Sequence, residues 1–166
     1  MSSGLTNNLS IIQNQKTIAE VKKFKSFISI DRFFEMDYLN LKDIIFNDTD
    51  FNLNRDNINF FKKLFITKPD ENNITIKNST IFFKNLSDEV LFLGKISNSK
   101  FFYDEKKLSN NLVSKNEIFN LPFILKLKNE NLKDYLLIEI KDDGDFKNKK
   151  IVIAEALLKS VIKDCD

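Results

Sequence analysis

The segment Lys68-Pro69-Asp70-Glu71-Asn72-Asn73 divides the chain into two regimes of hydrophobic spacing. Proline fixes its own φ, and the Asp and Asn beside it favour turns, so neither a helix nor a strand runs through it. Before the break, apolar residues recur every three, four or seven positions. After it, they alternate with polar ones. A period near 3.6 belongs to a helix face and a period of 2 to a half-buried strand.

Upstream, Ile11, Ile18, Val21, Phe24 and Ile28 form one apolar stripe, with Gln13, Gln15, Lys16, Glu20, Lys22 and Lys23 between them. The spacing predicts a helix over 9–27. Ser29 or Asp31 is placed to cap a second helix carrying Phe34, Tyr38, Leu41 and Ile45. Asn54 or Asp56 is placed to cap a third carrying Ile58, Phe61, Leu64 and Phe65. The polar stretch 47–54 reads as the loop between them.

Downstream, Ile74 and Ile76 begin a strand, and Asn78-Ser79 is a turn candidate. A short apolar run, Ile81-Phe82-Phe83, leads to a turn at 85–88. Residues 90–96 are apolar on both faces, as in a central strand. Phe101-Phe102-Tyr103 is a further short strand, and 104–120 reads as short helical turns or loop. Phe123–Lys128 and Tyr135–Ile140 form an antiparallel pair. Ile151, Ala154, Leu158, Val161 and Ile162 mark a closing amphipathic helix. The expected fold is one α+β domain over residues 1–166: a helical first third, a mainly antiparallel sheet of about five strands, and a C-terminal amphipathic helix.

Composition narrows function mostly by exclusion. The 166 residues contain no histidine, one cysteine and three glycines. A Ser-His-Asp or Cys-His nucleophile system needs an imidazole base, and His-ligated metal sites need its nitrogens. A lone thiol, Cys165, supports neither a thiolate cluster nor an internal disulfide, which points to a reducing, cytoplasmic setting. No phosphate-binding glycine loop is present. The acidic turn Asp142-Asp143-Gly144-Asp145 resembles part of a calcium loop, but the twelfth residue from Asp142 is Ile153, where a bidentate glutamate belongs.

Glu139, flanked by Ile138 and Ile140, is expected to face solvent. Arg32 and Arg55 are expected to make surface ion pairs. No metal, cofactor or catalytic residue is assigned. A net charge of +2 with interspersed signs gives no basic stripe, so nucleic acid is not an expected partner. No leader and no 18-residue apolar run is visible, so membrane insertion is not expected either. Abundant Asn, Lys, Ile and Phe fit an AT-rich, bacterial genome, and most of the Asn is attributed to that bias.

The closing section, Phe123–Lys128, Tyr135–Lys141, a polar loop through Phe146, and Lys149–Ile162, resembles the end of a GAF domain. The resemblance implies a first helix packed beside the last, a place for Leu9–Phe27. The missing catalytic residue types, together with an apolar helix stripe that could pair with a copy of itself, point to a domain without catalysis. The expected function is therefore a regulatory or protein-interaction domain, dimeric through the stripe Ile11, Ile18, Val21, Phe24 and Ile28 of the N-terminal helix (residues 1–28). Two other expectations are an accessory component or chaperone of a bacterial assembly such as a secretion system, and a small-ligand sensor.

Overall fold

A computed structural model describes residues 2–28, 41–66, 73–130 and 137–142. They form one eight-stranded sheet: β1 (Ser2–Gln13), β2 (Lys16–Ile28), β3 (Leu41–Leu53), β4 (Asn73–Lys84), β5 (Val90–Asp104), β6 (Ser109–Ile118), β7 (Leu121–Glu130) and β8 (Leu137–Asp142). Spatial order follows chain order. Every neighbouring pair is antiparallel except β3 and β4, which run parallel. A parallel pair needs a crossover, and α1 (Ile58–Ile66) lies in it.

The helical first third is overturned. Residues 2–28, which carry the stripe read as a helix over 9–27, are a β-hairpin, and 41–53, read as a second helix and a loop, is a strand. Of the three expected N-terminal helices, the described residues contain only the one at Ile58; Phe34 and Tyr38 of the second lie outside them. The sheet has eight strands, not about five, and 109–118, read as turns or loop, is one of them. The expected closing helix at 149–162, the cap at Ser29 or Asp31, and the break at Pro69 lie outside the described residues. Of the elements the GAF resemblance implies, the strand pair β7–β8 is present, while the place of its first helix is held by the hairpin. Among the described residues no helix is long and apolar enough to cross a membrane.

The misreading has a physical cause. The apolar face of β2 runs Ala19, Val21, Phe24, Ser26, as register with β3 shows: Ala19 faces Phe51, Val21 faces Thr49, Phe24 faces Phe46 and Ser26 faces Ile44. The step from Val21 to Phe24 is three because the ladder skips Lys22. A bulge inserts one residue and restores the same face after it, so a strand mimics helical spacing. The same step recurs in Thr6 to Leu9, Phe46 to Thr49, Ile76 to Ser79 and Ile96 to Ser99. Residues Asn8, Lys22, Asp48, Asn78 and Ser97 thus form a row of skipped positions across β1 to β5. Asn8, Asp48 and Asn78 take positive φ of 57°, 54° and 48°. Asn78-Ser79 is accordingly a bulge inside β4 rather than a turn.

Bulges free backbone groups that must find other partners. The Thr49 amide donates to Ser79 Oγ at 3.1 Å, and the Ser79 hydroxyl donates to the Lys77 carbonyl at 2.7 Å. Ser79 is buried, so one side chain stitches two bulges together. Ser79→Ala strands a buried N–H and is expected to lower unfolding free energy by about 1–2 kcal/mol in urea titration. Ser97→Ala, at the exposed bulge in β5, should change it by less than about 0.5 kcal/mol.

The turns use asparagine where glycine is scarce. β1–β2 and β6–β7 are joined by two-residue turns, Asn14-Gln15 and Phe119-Asn120, with positive φ at both positions. That conformation matches the strand twist. Asn85 Oδ1 accepts from the Ser87 and Glu89 amides and closes β4–β5. Asn54 Oδ1 accepts from the amides of Asp56 and Asn57, while Asn57 Oδ1 accepts from the Asn54 amide. This reciprocal pair starts α1.

Candidate apolar binding face

Register assigns each strand residue to one of two faces, since directly paired residues point the same way. One face carries rows of apolar residues running across the strands. Ile44, Ile74, Phe101, Leu112, Leu127 and Ile138 form one row over six strands. Ile11, Ala19, Phe51, Ile81, Gly94, Ile118 and Leu121 form another over seven. A third runs Phe24, Phe46, Ile76, Ser99, Ser114, Leu125 and Ile140. Among the paired positions of this face, charge is confined to its margins: Lys16, paired with Gln13 beside the β1–β2 turn, and Asp142, at the end of β8. The chain as a whole is 30% charged, so the separation is not chance dilution.

The opposite face takes the charge. Lys95 bonds Glu117 at 2.7 Å, Lys23 lies 3.3 Å from Asp48, and Lys126 lies 3.5 Å from Glu139. Exposed pairs of this kind add little stability, but they keep that face wet. Glu139 faces solvent, as expected from its alternation. Its hydrogen bond to Lys141, helped by Lys126, holds its carboxyl below the ordinary range. Arg55 is exposed beside α1, while Arg32 lies outside the described residues.

Among the described residues the apolar face is only partly covered. α1 touches β6, two strands beyond the one it leads into, so it reaches across β4 and β5. Leu93, Lys95, Lys100, Val113 and Lys115 on the charged side are exposed. The helix therefore lies on the apolar side. There Ile96, Phe101, Leu112 and Ile118 are buried. A nine-residue helix is about 14 Å long, against roughly 35 Å across eight strands. Leu9, Phe24, Phe46, Phe51, Ile76, Leu125 and Ile140 are half-buried.

Small side chains sit inside the apolar rows. Thr49, Ser79, Ser99 and Ser114 are buried, and Thr49 Oγ1 has no hydrogen-bond partner. Gly94 has no room to spare: a Cβ there would meet the Phe83 ring at 3.3 Å and Ile118 at 3.5 Å. Phe83 stacks on Phe92 at 4.2 Å between centroids, which closes this end of the face.

The residues expected to bind a partner are placed on the first hairpin. Ile11 on β1 and Val21 and Phe24 on β2 share the apolar face; Ile18 is the extra residue of a bulge opposite Ile11–Ile12. Ile18 and Val21 are 3% and 1% exposed, so they pack within the fold, while Phe24 is half-buried against Phe46 at 5.5 Å. Ile28 ends β2, and its side chain is outside the described residues. The helical stripe they were drawn from does not exist. Most of the face was missed, although the three-residue steps between apolar positions were visible.

A cleft of about 570 Å³ opens at one end of the sheet, walled by Lys16, Asn52, Asn54, Asp56, Asn57 and Lys84 among others. Lys16 and Asp56 stand 3.8 Å apart in it. Its asparagines are committed to the turns, with Asn57 Nδ2 donating to the Asn52 carbonyl at 2.7 Å. Among the described residues no group of three His, Cys, Asp or Glu side chains could hold a metal.

No family model matches the chain. A stretch of 33 residues is 79% identical to part of an isoleucine–tRNA ligase of Pelagibacter ubique (strain HTCC1062), covering 20% of this chain and 4% of that protein. So short a share carries neither a family nor an activity to the rest of the chain.

Proposed function

We propose that this chain is a non-catalytic binding domain whose working surface is the apolar sheet face, and that its ligand is elongated and apolar, of the class of a lipid acyl chain. The observation that carries this is a sheet face with charge only at its margins, which among the described residues is only partly covered by α1. A sheet face of this kind must be removed from water by something. Protein partners are usually held by aromatic or arginine anchors ringed by polar contacts. This face carries phenylalanines but charge only at its margins, so it lacks the polar surround of such an anchor and suits a ligand whose main demand is exclusion from water. Cytoplasmic residence, inferred from the single cysteine, is compatible with this role.

The test is direct. Purified, delipidated protein should bind a fluorescent long-chain fatty acid saturably, with a dissociation constant of about 10 µM or tighter. A short-chain acid of the same charge should bind at least tenfold more weakly, because each buried methylene contributes about 0.8 kcal/mol. Equal affinity for both lengths, or no binding, would exclude the acyl-chain reading.

A further inference from the structure

The two edges of the sheet are built differently. β8 is six residues long and carries Glu139, Lys141 and Asp142. β1 is twice that length, Ser-Ser-Gly-Leu-Thr-Asn-Asn-Leu-Ser-Ile-Ile-Gln, with neither a charge nor a proline. Each of the other seven strands carries charged residues. Edge strands present a row of unused amides and carbonyls, and proteins commonly guard them with lysine, proline or brevity. β1 has none of these guards, while 69% of Leu5 and 64% of Ile12 remain exposed. Its bulge at Asn8 is matched by a skipped Lys22 in β2, so pairing resumes in the same register on both sides of it.

We propose that β1 is a strand-addition site, and that a second copy of this chain occupies it, β1 against β1 in antiparallel sense. Self-pairing brings no like charges together. A two-fold axis normal to the sheet would close the contact and keep both apolar faces on one side. Pairing β1 with the charged β8 edge of another copy would instead continue without closing. The contact is a single strand edge, smaller than a standard stable interface, so association depends on concentration. The inference does not depend on the acyl-chain reading.

Light scattering of the full chain from about 1 to about 500 µM should show the mass rise from monomer to dimer and stop there. Hydrogen exchange at the two extremes should show amides of β1 gaining protection at high concentration, with β8 unchanged. Ser10→Lys charges the edge while placing its ammonium opposite Glu20 of the same hairpin. It should leave the unfolding curve in place and raise the dimerisation midpoint at least tenfold. A monomer at every concentration overturns the proposal. A dimer in which β1 exchanges as in the monomer overturns it as well, and assigns the contact to another surface, as does growth beyond a dimer.

Discussion

Phe101→Ala should destabilise the protein by about 3–4 kcal/mol in urea unfolding, with an unchanged m-value. Phe101 is 7% exposed and lies directly between Ile74 of β4 and Leu112 of β6. It sits in the part of the sheet that α1 reaches across. Removing the ring costs its transfer from water and leaves a hole that a hydrogen-bonded sheet cannot close. Leu93→Ala is the matched control. Leu93 belongs to the same strand but is 49% exposed on the other face, so its loss should cost less than about 1 kcal/mol. Similar losses at both positions would mean that the two faces are not differently buried.

Phe46→Lys should weaken acyl-chain binding by at least tenfold, and Ile45→Lys, one residue away, should leave it within about twofold. Phe46 is half-buried in the row Phe24, Phe46, Ile76, while Ile45 pairs with Lys25 and Thr75 on the charged face. An ammonium on the apolar face would have to lose water without a partner. On the charged face it joins other lysines. Unfolding curves for both variants separate lost binding from lost structure. If the two weaken binding alike, the ligand is not held by the apolar face.

How much of this was legible can be traced to single residues. Alternation revealed Ile74–Ile76, Val90–Ile96 and Phe123–Lys128 as strands, and of the two capping candidates, Asn54 and Asp56, it is Asn54 that accepts from the amides ahead of the helix at Ile58. Where bulges interrupt alternation, the reading failed. Val21 and Phe24 stand three apart, as on a helix, because the ladder skips Lys22 together with the Asp48 that faces it. Turn signals failed for a related reason. Among the described residues, six of the nine at positive φ are Asn or Asp and none is glycine, so a composition attributed to codon bias was holding backbone geometry. Phe119, at positive φ in a two-residue turn, gives no such signal. Of the apolar face, Ile11, Val21 and Phe24 were singled out, but as one side of a helix. Its extent depends on which strands are neighbours, and no local pattern encodes that.

The sheet's order has a consequence for how such a molecule can grow. Each strand hydrogen-bonds only to those next to it in sequence. Adding or removing a hairpin at either edge would therefore lengthen or shorten the sheet without disturbing the pairs that remain, much as repeats add to a solenoid. The width of the apolar face is then a count of hairpins. Selection could adjust that count to the size of what is carried, by steps of about 10 Å per hairpin, while leaving every established contact in place.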